Sequence, residues 1–415
     1  MTRPPPSSPA LRPGLVVATA GVAVLLYLDR VCLSIVGEQL KPDLRLTDDQ
    51  YAYLLSGFLW SYALFQLPAG WLGDRLGAGR VLAVYLVGWS ACTGAMGLAG
   101  GFAGLLLLRV GCGMFEAGAY PLAASIVSRS VPPANRALAS GVVAVGGRLG
   151  GAVAPPLTAF LAAGLADGWR RPFLLYGAVG VAAAAVYFLL VRRADVAAPT
   201  GPPPVRELAA DRSVWLCSLV QFLANFAWAF VITLFPTFLS QMYQTPVEQR
   251  AFYQSLTLYA GIGGMLLGGW LSDAAVRRLG LRWGRAAPVA ASRLVVGGAY
   301  LGLLGADDPV AVTLLLCLMA AATDLGTAPV WAWAQDVGGR RVGAVLGWAN
   351  MWGNLGAALA PLVTQALRNQ YPDDPAAGWR AAFVLFGGVQ VVAAVAALGI
   401  DASRPLVLVD RSPKR

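Results

Sequence analysis

Long apolar runs alternate with short polar interruptions along almost the whole chain, and the interruptions hold most of its Lys and Arg. About 20 apolar residues suffice to cross a bilayer as a helix. On that measure the pattern predicts helices near 14–37, 51–73, 80–98, 103–127, 138–163 and 171–192, then near 213–240, 251–274, 286–305, 310–334, 342–367 and 380–401. The first run contains Asp29 and Arg30 and has no clear cleavage site, so it reads as a spanning helix rather than a signal peptide. Residues 193–212 break the hydrophobicity with Pro, Gly and charge and predict a cytoplasmic linker. The linker divides a bundle over 14–192 from one over 213–401, flanked by a disordered Pro- and Ser-rich segment over 1–13 and a tail over 402–415. The expected fold is an all-α membrane protein, with twelve transmembrane helices in two pseudo-symmetric six-helix bundles.

The two halves repeat. Gly70-Trp71-Leu72-Gly73-Asp74 returns as Gly269-Trp270-Leu271-Ser272-Asp273, an offset of 199 residues. Gly168-Trp169-Arg170 returns as Gly378-Trp379-Arg380, an offset of 210. Self-similarity at so long a period speaks to the fold before any local detail.

Composition narrows the function. Of 415 residues, 57% are hydrophobic and 13% are charged, whereas a soluble domain carries about 25% charge. No extramembrane stretch is long enough for a soluble catalytic domain, so a membrane enzyme or a transporter-like sensor is a poor fit. The net charge of +10 could point to nucleic acid, but its distribution points away. With the N-terminus inside, 20 of the 31 Lys and Arg fall in inside segments and 7 in outside loops. That asymmetry follows the positive-inside rule and predicts both termini in the cytoplasm, with the chain in a bacterial inner membrane. Cys32, Cys92, Cys112, Cys217 and Cys317 all lie in apolar stretches, and the chain has no histidine. Neither a metal site nor a cofactor is expected. Pro68, Pro121, Pro155, Pro156, Pro236, Pro329 and Pro361 interrupt apolar runs and favour mobile helices around a cavity.

The six-plus-six plan, with Gly70, Asp74, Arg75, Gly77 and Arg80 in the loop between the second and third helices, resembles the major facilitator superfamily. The resemblance implies that this loop, echoed by Asp273, locks the two halves on the cytoplasmic side. A physical reason is available: Asp74 can sit at a helix N-terminus of the other half, where backbone N–H groups attract an anion. A narrower resemblance is to the anion:cation symporter family of hexuronate, galactonate, glucarate and sialic-acid transporters. It rests on Tyr27-Leu28-Asp29-Arg30, on Arg109 through Glu116-Ala117-Gly118-Ala119-Tyr120-Pro121, on Gly168-Trp169-Arg170, on Phe235-Pro236-Thr237-Phe238-Leu239, and on Gly347-Trp348-Ala349-Asn350 through Pro361.

Charge inside the membrane is costly, about 2.5–3.5 kcal/mol per residue on insertion scales, and marks function by default. Asp29, Arg30, Arg109, Glu116, Arg148 and Asp324 lie within apolar runs, with Arg293 nearer the inside end of the ninth helix. Asp29 and Arg30 are adjacent, so they point about 100° apart on a helix. Arg30 is expected to face the cavity and hold a substrate carboxylate in its planar fork, the role the resemblance implies. A structural pair with a carboxylate is the alternative. Glu116, Asp29 and Asp324 are the expected proton carriers; Glu116 could instead form a permanent ion pair with Arg109, seven residues away on the same face. Arg148 and Asp324 depart from the family signatures. They could pair across the halves, or Arg148 could bind a second anionic group. Tyr27, Tyr62, Arg109, Arg148, Trp331, Trp333, Asn350 and Asn354 are further candidates for the substrate wall. The expected activity is proton-coupled import of a small organic anion, such as a hexuronate or aldonate, by alternating access. An organic-phosphate or other anion exchanger, a drug exporter and sodium coupling remain open, and a monomer in the bilayer is expected.

Overall fold

The computed structural model describes residues 13–164, 168–192, 201 and 203–406. The expectations for residues 1–12, for 193–200 and 202 of the linker and for 407–415 of the tail lie outside the described residues. Everything regular in the described residues is helical. The first half contains α1 (Pro13–Asp43), α2 (Asp48–Leu76), α3 (Ala78–Met96), α4 (Phe102–Glu116), α5 (Ala119–Ser130), α6 (Arg136–Ala162) and α7 (Arg170–Val191). A short α8 (Val205–Ala210) leads into the second half, formed by α9 (Arg212–Ala229), α10 (Phe235–Tyr243), α11 (Val247–Gly302), α12 (Pro309–Val337), α13 (Val342–Arg368) and α14 (Pro375–Leu398).

These elements group into twelve rods once three irregularities are read correctly. The stretch Phe102–Ser130 is one rod, interrupted where Ala117 and Gly118 leave the helix between α4 and α5. The stretch Arg212–Tyr243 is another, with a π turn at Phe230–Leu234 ahead of Pro236. The converse holds for α11, which is two rods joined at Gly280, where φ is +77°. Such a φ suits glycine, and it reverses the chain between the eighth and ninth predicted helices.

Eight helical stretches are long and apolar enough to cross a membrane by length and composition, with Gln249–Gly305 covering both rods of α11. The rods α2, α3 and α13 fall short of that measure, and α2 and α13 carry polar groups toward the partner half or the interior: Gln66 and Asp74 on α2, Asn350 and Asn354 on α13. The outward faces are the reverse. Leu98, Leu107, Phe160, Leu362 and Val395 are largely exposed to the surroundings, as a lipid-facing surface requires.

The halves meet along two crossings. In one, α2 packs on α13; in the other, α6 packs on the first rod of α11. Small residues set both. The backbone at Gly70 lies against that of Gly343, and Gly269 lies against Ala137 and Leu138, so a methyl at either glycine would overlap main chain. Close backbone approach of this kind is how helices associate where lipid removes the hydrophobic drive.

Candidate functional site

Between the halves lies a cavity of about 410 Å³, large enough for a small organic molecule. Its walls come from α1, α2, α5 and α6 on one side and from α9, α11, α12 and α13 on the other. Of the residues expected on the substrate wall, Tyr27, Arg30, Tyr62, Arg148, Trp331, Asn350 and Asn354 are there.

The α1 helix turns Arg30 into the cavity and Asp29 away from it, as adjacent helical positions must. The Arg30 guanidinium sits in an aromatic cage, 4.4 Å from the centre of the Tyr62 ring, 5.1 Å from Tyr27 and 5.4 Å from Phe58. Its Nε donates to Glu116 Oε2 at 3.0 Å, while Nη2 has no partner. Ring faces hold a cation without consuming its hydrogen bonds, so the outer edge of the fork stays available. Glu116 is buried behind Arg30, off the cavity wall, and its Oε1 has no partner. Asp29 is likewise buried off the wall, within the field of Glu116, with Oδ2 unpartnered.

Arg109 stands apart from the cavity. It is 3% exposed, stacked 4.4 Å above the Phe58 ring, with Nε donating to the Leu54 carbonyl at 3.4 Å. Both guanidiniums approach the Phe58 ring, and the carboxylate of Glu116 pairs with Arg30 rather than with Arg109. Trp333 also lies off the wall, in the core between the halves, whereas Trp331 packs at a tilt against Tyr120, ring centres 4.8 Å apart.

Arg148 and Asp324 join the halves inside the cavity. Arg148 Nε donates to Asp324 Oδ2 at 2.9 Å and Nη2 to Oδ1 at 2.6 Å, with the guanidinium over Trp228 at 5.1 Å. This two-bond fork is the pairing that the sequence left open.

Sequence reasoning did not place Tyr120, Gln221, Asn225 and Trp228 on the wall; they line the cavity together with Arg293, which the sequence marks only as a charge within an apolar run. The amides had a signal. Gln221 and Asn225 are four apart on α9, as Asn350 and Asn354 are on α13, and Gln221 Nε2 donates to Asn350 Oδ1 at 3.1 Å. Two amides one turn apart in an apolar helix share a face.

At the α2–α3 end the halves are clasped twice. Asp74 Oδ1 accepts from Gly343 N at 3.0 Å and from Ser125 Oγ at 2.8 Å, and its Oδ2 accepts from Ala344 N at 2.9 Å. Asp74 thus sits on the N-terminus of α13, where free N–H groups and the helix dipole favour an anion. Its repeat mate does the same in reverse: Asp273 accepts from Ala137 N at 3.3 Å and Leu138 N at 3.0 Å, at the N-terminus of α6. Arg285 reinforces this clasp, reaching Asp273 at 2.7 Å, Asp336 at 2.8 Å and the Pro133 carbonyl at 3.0 Å. Gly77 closes the α2–α3 turn at φ +103°. Arg75 and Arg80 are exposed, Arg75 lying 5.5 Å above the Trp71 ring.

The model of the Major Facilitator Superfamily matches residues 19–361. The chain belongs to the major facilitator superfamily. As a member of that superfamily it is an integral membrane protein and a transporter rather than an enzyme. It is 31% identical to a hexuronate transporter of Bacillus subtilis, over 90% of this chain and 91% of the relative. A probable sulfoacetate transporter of Cupriavidus necator is 28% identical, with 92% of each chain covered. A D-galactonate transporter of Escherichia coli is also 28% identical, over 89% of this chain and 92% of the relative. Among solved structures, the human organic anion transporter MFSD10 superposes with a TM-score of 0.72 at 19% identity, covering 95% of this chain and all of that one. A bacterial homologue of the human lysosomal transporter Spinster, inward-facing and unoccupied, gives 0.59 at 22% identity, covering 97% and 99%. These two likenesses carry the superfamily fold.

Proposed function

We propose that this transporter carries a small organic anion together with a proton, by alternating access about the central cavity. The observation that carries the reading is the Arg30 fork, held on the cavity wall by aromatic faces with Glu116 behind it. An incoming carboxylate or sulfonate competes with Glu116 for the guanidinium. Once its arginine is drawn away, a buried carboxylate becomes far more costly to keep ionised, and proton uptake relieves that cost. Substrate and proton are coupled in this way through one arginine. Asp29, buried beside Glu116, is the second carrier in this reading. Asp324 acts instead as the counter-ion of Arg148.

The cavity's amides and tyrosines suit a hydroxylated acid, and the names of the relatives run through hexuronate, galactonate and sulfoacetate. The positive-inside asymmetry favours a bacterial inner membrane with both termini and the α2–α3 turn in the cytoplasm. With that orientation the doubly clasped end is the cytoplasmic one, and the cavity belongs to a state closed toward the cytoplasm.

The test uses purified protein in liposomes. Glu116→Gln should abolish accumulation driven by a pH gradient while preserving exchange of labelled substrate across the membrane. Uphill uptake at the wild-type level by that variant would remove Glu116 from the coupling role. Replacing the proton gradient with a sodium gradient separates the two coupling ions.

A further inference from the structure

Arg293 is the one cavity-lining arginine that the mechanism above leaves unused. It is 2% exposed, on the second rod of α11. Its Nη2 donates to the Thr323 carbonyl at 2.9 Å and its Nε to Ser292 Oγ at 3.1 Å, while Nη1 has no partner. It makes no ion pair among the described residues. The nearest acid in its field is Asp324, and both oxygens of Asp324 are already engaged by Arg148. A buried guanidinium with an open N–H edge is costly unless something anionic completes it. The fixed neighbours also orient it: two of its nitrogens are anchored to its own half, leaving the third for a ligand.

The open edge has a counterpart. Arg30, on α1 of the other half, also keeps one nitrogen unpartnered and lines the same cavity. We propose that Arg293 is a second anion anchor, and that the cargo carries two anionic groups, one held by Arg30 and one by Arg293. This rests on the organic-anion reading above and narrows it to dianions: dicarboxylates or sulfo-carboxylates rather than simple monocarboxylates. A dianion held at both ends bridges the halves, so its binding energy favours their closure around it. Arg148 keeps Asp324 throughout.

The experiment is a calorimetric titration of the purified full-length protein with matched acids: glucarate against gluconate, and sulfoacetate against glycolate. One charge-assisted hydrogen-bonded contact corresponds to about tenfold in affinity. At least one dianion should bind about tenfold more tightly than its monoanionic match. Arg293→Gln should erase that preference, and Arg293→Lys should keep part of it. Equal or tighter binding of the monoanions by the wild-type protein would overturn the inference and leave the organic-anion reading standing. So would an equal loss for both members of a pair in Arg293→Gln, which marks a structural role. Failure of all four acids to bind would remove the organic-anion reading and this inference together.

Discussion

A single guanidinium shows how much environment decides a residue's use. Arg30 and Arg109 are both cations of the first half within reach of one phenyl ring, yet of the two only Arg30 has an edge on the cavity. The difference is what surrounds them. Arg30 is caged by rings and one carboxylate, while Arg109 is pressed between Phe58 and the Leu54 carbonyl. Arg30→Lys keeps the charge but loses the planar fork, so substrate affinity should fall about tenfold, measured by titration with the transported acid. Arg109→Gln should leave cavity binding close to wild type and lower thermal stability instead, because its contacts are internal.

The same scale shows what the sequence could and could not disclose. The adjacency of Asp29 and Arg30 discloses that only one of them can face the cavity, and Arg30 is the one on the wall. The seven-residue spacing of Arg109 and Glu116 does place them on one face, but spacing along a helix says nothing about reach toward a neighbouring helix. Glu116 meets α1 and Arg109 meets α2, so the pair suggested by spacing does not form. Arg293 is marked by the sequence as a charge in an apolar run, nearer the inside end of its helix, but its partners and its place on the cavity wall follow only from the fold.

At the scale of elements, hydropathy discloses the rods and misplaces their ends. The first helix runs to Asp43, six residues beyond the expected 37, so helix persists past the apolar run until the chain turns at Arg45 and reaches Thr47. There Thr47 and Gln50 form a reciprocal cap that starts α2. The break after Glu116 and the π turn at Phe230 are invisible to hydropathy, since each lies inside one long run that averages apolar. The α2–α3 turn is better specified. Gly77 at φ +103° has no substitute among residues with a Cβ, so Gly77→Ala should destabilise the protein by about 1–3 kcal/mol. A lowered midpoint in a thermal melt of the detergent-solubilised protein checks this.

At the scale of the whole molecule, the repeat becomes a physical symmetry. Asp74 of the first half caps a helix of the second, and Asp273 of the second caps a helix of the first. The duplication of Gly-Trp-Leu-x-Asp in the sequence announces that exchange; the supporting network of Arg285, Asp336 and Arg136 does not follow from any motif. Asp74→Asn should shift the population of conformers about tenfold toward opening at the α2–α3 end, since hydrogen bonds to a charged group carry about 1.5–3 kcal/mol. Thiol-labelling rates at a cysteine introduced beside Ser125 should rise accordingly. Asp273→Asn should act in the same direction, and the two substitutions together should exceed either alone.

The crossed aspartates also set how readily the molecule turns over. Each one plugs a helix terminus whose N–H groups can turn to water once it leaves, and each carboxylate can do the same. Parting the halves therefore exchanges one satisfied arrangement for another and strands no charge. Such a seam fixes alignment at a modest net cost to opening, so occupancy by a solute of ordinary affinity suffices to tip the balance between the two faces.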